Sequence, residues 1–194
     1  MMADLLPYAQ CAPAVHPDTV HRLVQVESGA HPYAIGVVGA RLAQQPRTQA
    51  QAVASALWLE QHGYNYSLGL LQINRGNLAR YGLTLNGAFD ICSNLRAGAT
   101  ILAGCYQRAS AAGHTPQLAL RDAFSCYESG NFHTGYRDGY VQKIVAVPAL
   151  PATTTTGDTA APGNTPRRHI ALHSPPLERN GQTTAPAQPS ALAF

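Results

Sequence analysis

Charged side chains are scarce in this chain. Of 194 residues only 12% are charged, with Lys143 the single lysine, and there are one tryptophan, Trp58, and two methionines. The net charge of +3 rests on arginines spread along the sequence. No basic run is dense enough to follow a phosphate backbone, which argues against nucleic acid as a partner. Nor does any apolar run approach the roughly 20 residues needed to cross a bilayer, so no membrane span is expected. His16, His21, His31, His62, His114 and His133 are scattered without an HExxH motif or a pair four residues apart. They read as surface or capping residues, and neither a metal site nor a cofactor is expected. The first residues, MMADLLPYAQCAP, have no basic stretch leading into a long apolar one and carry Asp4 and Pro7, so a signal peptide is not expected within this chain.

What is present suits one domain: hydrophobic residues make up 45% of the sequence, enough to bury a sizeable core. The four cysteines, Cys11, Cys92, Cys105 and Cys126, show neither CxxC nor Cys/His spacing for a metal. Disulfides compete with buried free thiols, and disulfides are preferred, which points to an oxidising compartment. The expected pairs are Cys11 with Cys105, tethering the N-terminal arm to a long helix, and Cys92 with Cys126. Composition changes near Val147: residues 148–194 hold eight prolines, eight threonines and nine alanines, with Phe194 the one aromatic. Such a segment buries too little apolar surface to offset its ordering entropy. Residues 1–147 are therefore expected to form the domain and residues 148–194 a disordered tail.

Local signals give a mostly helical domain with a small β element. Pro17 and Asp18 open a helix that runs to about Ser28, where Gly29 ends it. Tyr33 to Leu42 reads as a strand turning at Gly39, and Thr48 to His62 as a helix stopped by Gly63. A short helix is expected from Asn74 to Tyr81. A long one, from Asn94 to Ala112, carries Leu95, Ala99, Leu102 and Tyr106 on one face. Two more run from Gln117 to Tyr127 and from Tyr136 to Val147. Trp58 and Leu57, within the second helix, are expected in the core rather than as a platform for sugars.

In VQVESGAHPYAIGVV, the first helix places Glu27 in the fourth position of the i, i+3, i+4, i+7 pattern begun by Val20, Leu23 and Val24. Glu27 thus shares the buried face at a helix C-terminus. Burial and the negative end of the helix dipole both disfavour its ionised form, which suits a general acid. The alternative is a solvated glutamate at a fraying helix end. In SLGLLQINRGNL, Gly69 precedes Gln72-Ile73-Asn74. The turn either projects two amides able to read sugar hydroxyls and acetamido groups, or is a plain strand-to-helix join capped by Asn74. In SCYESGNF, Tyr127 either fills the core or orients a carboxylate.

Together ESGAHPYAIG, GLLQIN, FDICSNLRAGATILAGCY and YESGNFHTGYRDGYVQKI resemble, in order and spacing, the lysozyme-like lytic transglycosylases of type IV secretion and conjugation machines. The resemblance spans about residues 8 to 147. It implies an α+β, mostly helical, lysozyme-like fold, a periplasmic location, and peptidoglycan glycan strands as substrate. Glu27 would be the catalytic residue, Gln72 and Asn74 would line the glycan cleft, and Tyr127 would hydrogen-bond the acid. Ser28, Gly69, Leu70 and Glu128 join the candidate substrate contacts by their places in the motifs. Family members usually have Tyr-Asn where this chain has Tyr127-Glu128, so a possible charge replaces an amide. The implied reaction is cleavage of the β-1,4 bond between N-acetylmuramic acid and N-acetylglucosamine, with a 1,6-anhydro product.

Two other functions compete with it. Glu128 facing Glu27 across the cleft would make a hydrolytic muramidase, because a two-carboxylate glycosidase needs its acids about 5 to 9.5 Å apart. Alternatively, Glu128 would leave a catalytically weakened glycan-binding assembly module. The tail stretch RRHIALHSPPLER, Arg167 to Arg179, is its only part with clustered charge and spaced apolar residues. It reads either as a docking segment for secretion-system components or as part of a solvated spacer.

Overall fold

Helix ends are set by local chemistry. In a computed structural model, which describes residues 10–150, helix α1 (Pro17–Ser28) starts with proline at its first position, and the Nδ1 of His16 accepts from the Asp18 amide at 3.3 Å. Gly29, with φ +59°, closes it. Thr48 caps α2 (Gln49–Gln61), Thr84 caps the short α3 (Leu85–Ala88), and Asp90 caps α4 (Ile91–Ala111) by accepting from the Ser93 amide at 2.8 Å. The aspartate cap starts α4 three residues before the expected Asn94. Pro116 opens α5 (Pro116–Ser129), and α6 (Thr134–Arg137) and α7 (Tyr140–Ala146) follow. The single helix expected from Tyr136 to Val147 is broken because Gly139 takes φ +77° between these last two.

Three short antiparallel strands, β1 (Ile35–Val37), β2 (Tyr66–Leu68) and β3 (Ile73–Asn74), form a sheet in that order, with Ile35 opposite Leu68 and Leu68 opposite Ile73. The strand expected over Tyr33 to Leu42 is this much shorter β1, since Gly39 turns the chain at φ +72°. The side-chain amide of Gln45 pairs with the open edge of β1, donating to the Ile35 carbonyl and accepting from its N–H, both at 2.9 Å. After β3 the chain makes two 3₁₀ turns, Arg75–Asn77 and Ala79–Tyr81, in place of the expected short helix.

The core packs α4 against α5 through Leu95, Leu102, Leu120 and Phe124, with Leu23 and Val24 of α1, Leu68, Leu71 and Ile73 of the sheet region and Ile144 of α7 buried around them. Leu95, Ala99 and Leu102 are buried as the α4 periodicity requires. His21 departs from the expected surface role: it is buried, and its Nδ1 has no hydrogen-bond partner. Arg22, ion-paired with Asp18 at 2.7 Å, donates to the carbonyls of Val145 and Val147, while Asp18 accepts from the Leu150 amide at 2.8 Å. These bonds fasten the end of α7 to α1. Among the described residues no helix is long and apolar enough to cross a membrane. The stretch from Arg167 to Arg179 lies outside them.

The cysteine pairing differs from expectation. Cys11 joins Cys92, with Cα atoms 4.9 Å apart, and Cys105 joins Cys126, at 5.8 Å. The physical reason is the packing of α4 along α5: it brings Cys105, past the middle of one helix, against Cys126 of the other and leaves the start of α4 to the N-terminal arm. Loop-closure entropy then makes the first bond, spanning 81 residues, the stronger constraint on the unfolded chain than the second, spanning 21. Replacing Cys11 and Cys92 by serine is expected to cost about 4 kcal/mol, and replacing Cys105 and Cys126 about 3 kcal/mol, measured by denaturant unfolding. A non-reducing peptide map with any other pairing would contradict the structure.

Candidate active site

A cleft of about 900 Å³ runs between the sheet and the helices, and its walls include Glu27, Gln72, Asn74, Tyr127, Glu128 and Tyr140. Five of these were singled out in the sequence; Tyr140 was not. Ser28, Gly69 and Leu70 are not among the lining residues. The Ser28 hydroxyl donates to the Val24 carbonyl of its own helix at 3.2 Å, and Gly69 and Leu70 are buried in the turn beneath the wall.

Glu27 sits in the last turn of α1, half-buried, with its carboxyl accepting a hydrogen bond from the Tyr140 hydroxyl. Burial pushes the carboxyl up to about 7; the Tyr140 bond opposes this, and the charge of Glu128 adds to it. The Glu128 carboxyl is itself raised by partial burial and by Asp138, with Lys143 opposing. Tyr140 takes the place expected of Tyr127. The break at Gly139 starts α7 so that Tyr140, its first residue, is buried against Glu27. Nothing in local periodicity marks this residue, although it falls within the YESGNFHTGYRDGYVQKI block.

Tyr127 instead donates to the Leu71 carbonyl at 2.6 Å, close enough to Glu27 for the latter's charge to raise its hydroxyl further above an ordinary phenol. The carbonyl it holds belongs to a strained turn. Gln72 has φ +44°, a region that costs a non-glycine residue about 1 to 3 kcal/mol. Asn94, a fully buried residue of α4, pins the turn from inside. Its Oδ1 accepts from the Leu71 amide at 2.8 Å, and its Nδ2 donates to the carbonyls of Leu68 at 2.9 Å and Ala88 at 2.7 Å. Gly69, at φ +76°, leaves room for that amide: a Cβ there would lie 2.5 Å from the Ala88 oxygen. At Gly98 a Cβ would meet that of Leu71 at 2.8 Å, so α4 can pass only because the position is glycine.

The amides expected to read sugars are partly committed within the protein. Gln72 donates its Nε2 hydrogens to the carbonyls of Gly69 at 2.9 Å and Ala34 at 3.1 Å. Asn74 accepts from the Gly76 amide at 3.0 Å, the capping role, and donates to Asn65 Oδ1 at 2.9 Å. The arrangement can therefore deliver a proton from one enclosed carboxyl into a polar-walled groove. Trp58 was expected in the core, but it is 50% exposed, as α2 buries the opposite face with Ala52, Ala56 and Leu59.

A family model described as Transglycosylase SLT domain matches residues 4–143. The Type IV secretion system protein virB1 of Brucella suis biovar 1 is 46% identical over 175 residues, covering 83% of this chain and 74% of that protein. Its namesake in Brucella abortus biovar 1 is 50% identical over 152 residues, 75% of this chain and 64% of that protein. Protein virB1 of Agrobacterium tumefaciens is 38% identical over 151 residues, with 73% and 61% covered. The chain thus spans about three quarters of the first relative's length and under two thirds of the other two. No solved structure matches at a significant level.

Asn94 satisfies three buried backbone groups, so Asn94→Ala is expected to destabilise the fold by about 3 kcal/mol or more in denaturant unfolding. For Glu27 the sign follows from its raised carboxyl. Below the ordinary 4.5 both folded and unfolded states hold the proton. Between 4.5 and about 7 only the folded state does, so stability falls as pH rises through that window. Glu27→Gln removes this loss: its melting temperature should exceed that of the parent at pH 8, and the gain should shrink at pH 4. A gain that is the same at both pH values would show that the carboxyl is not shifted.

Proposed function

Because this chain belongs to the Transglycosylase SLT domain family and carries its lytic transglycosylase domain, we propose that it cuts the β-1,4 bond between N-acetylmuramic acid and N-acetylglucosamine in peptidoglycan, leaving a 1,6-anhydromuramic end. Glu27 is the catalytic residue. Protonated near neutral pH, it gives its proton to the glycosidic oxygen as the bond to C1 breaks. The carboxylate so formed takes the proton of the muramic C6 hydroxyl as that oxygen bonds to C1. The proton returns to Glu27, no water is consumed, and one carboxyl completes the cycle. The observation that carries this reading is the Glu27 carboxyl, pushed up to about 7 by burial, on the wall of a cleft of about 900 Å³. Tyr140 keeps that carboxyl oriented toward the cleft.

The names of the relatives support a setting in type IV secretion, where local opening of the cell wall makes way for the apparatus. Two disulfides support a periplasmic location. The tail is proposed to recruit secretion-system components, with residues 1–147 as the cutting domain and glycan strands as its substrate. Glu128, exposed on the cleft wall and electrostatically coupled to Glu27, favours a second reading as a hydrolytic muramidase in which it would serve as the second carboxylate.

Mass spectrometry of digested peptidoglycan separates the two. Anhydro-muropeptides are expected, lost by at least a hundredfold in rate on Glu27→Gln; reducing ends alone would sink the lytic reading. Glu128→Gln is expected to retain the anhydro product while moving the alkaline limb of the pH–rate profile to lower pH, because the charge that raises Glu27 is gone. Collapse of turnover in that variant would instead favour hydrolysis.

A further inference from the structure

At the end of α2 the Trp58 ring lies against two others. Trp58 stacks on His62 with centroids 3.9 Å apart and on Tyr64 at 5.9 Å, with interplanar angles of 22° in both pairs. Trp58 is 50% exposed and Tyr64 38%. The backbone that carries these rings is bonded at several points. His62 Nδ1 lies 2.7 Å from the Trp58 carbonyl, the Tyr66 hydroxyl donates to Glu60 at 2.5 Å, and Arg75 pairs with Glu60 and donates to the Tyr64 carbonyl at 3.2 Å. These bonds tie the end of α2 to β2 and to the turn after β3. A fixed backbone leaves less entropy to lose when the rings it carries bind a ligand.

The group also adjoins the cleft. Tyr64 is followed by Asn65, a cleft residue whose carbonyl accepts from the amide of Val38 at 2.9 Å, and Val38, 65% exposed, lines the same end. A groove of about 900 Å³ holds only a few sugars, whereas a glycan strand is a polymer and must leave it. In a β-1,4-linked strand the ring substituents are equatorial, so each sugar offers an apolar C–H face that packs against the electron-rich face of an aromatic ring.

We propose that Trp58 and Tyr64 form a stacking platform, outside the catalytic cleft, for a sugar ring of the glycan strand where it passes Val38 and Asn65. The platform rests on the glycan reading above and adds to it a preference for long strands over short ones. Trp58 is the only tryptophan in the chain, so its emission reports directly on this surface.

The test uses the full chain carrying Glu27→Gln to prevent turnover, with glycan strands stripped of stem peptides and separated into long strands and fragments short enough to lie within the cleft. Long strands are expected to change the Trp58 emission, and short ones to leave it nearly unchanged. Trp58→Ala should weaken binding of long strands in solution by about threefold to tenfold, and Trp58→Phe should restore most of the loss. Long strands that bind while emission and affinity are indifferent to this position would overturn the platform and leave the cleft reading intact. Failure of both long and short strands to bind would remove the glycan reading and the platform with it. A Trp58→Ala variant with normal glycan binding that fails only in assembly of a secretion apparatus would assign the surface to a protein partner and end the proposal.

Discussion

One buried side-chain amide, that of Asn94, holds the turn on which the site is built. The loop from β2 to β3 must reverse direction in the core, where unpaired backbone groups cost about 1 to 3 kcal/mol each. Asn94 answers from α4 with bonds to Leu71, Leu68 and Ala88. Once the loop is fastened to the longest helix, Leu71 can be buried, its carbonyl can meet Tyr127, and Gln72 can be held at a positive φ that no local preference would select. The small residues nearby follow from the same closeness: Gly69 makes room for the amide and Gly98 for Leu71.

Against that rigid wall, Glu27 is held in a state that folding alone would not favour. A carboxyl enclosed at the C-terminal end of a helix, with a second acid on the cleft wall, resists ionisation; a single tyrosine hydroxyl offsets only part of the effect. The same energetic conflict lowers stability as the pH rises and keeps a proton available near neutrality. Sites of this kind exchange stability for chemistry, and here the cost is confined to one residue supported by α1 and α7. Arg22 and Asp18, two turns earlier on α1, fasten α7 and the segment after it, so the tyrosine is positioned by the helix that carries the acid.

The expectations that failed did so for related reasons. The motif implies Tyr127 as the partner of the acid, yet the α5 backbone aims it at Leu71 while the Gly139 break delivers Tyr140. The cysteine pairs were exchanged because pairing depends on how far two helices overlap. Trp58 is expected in the core because nothing local requires an exposed ring, but α2 buries only the face of Ala52, Ala56 and Leu59. His21, expected at the surface or in a cap because no metal motif claims it, lies on a helix face that is covered.

By itself the sequence determined the helix starts at Pro17 and Thr48, the apolar face of α4, the family, and the one glutamate placed on a buried stripe. Each of these depends on residues within a few positions of one another or on motifs kept in order, and short-range sterics, capping and periodicity suffice to specify them. Tertiary structure alone decided which tyrosine meets Glu27, which cysteines join, that the hydrogens of the Gln72 amide are bonded internally, and that Glu128 acts on the acid through its charge. Those depend on distances between segments far apart in the chain, and such distances exist only after the core has closed.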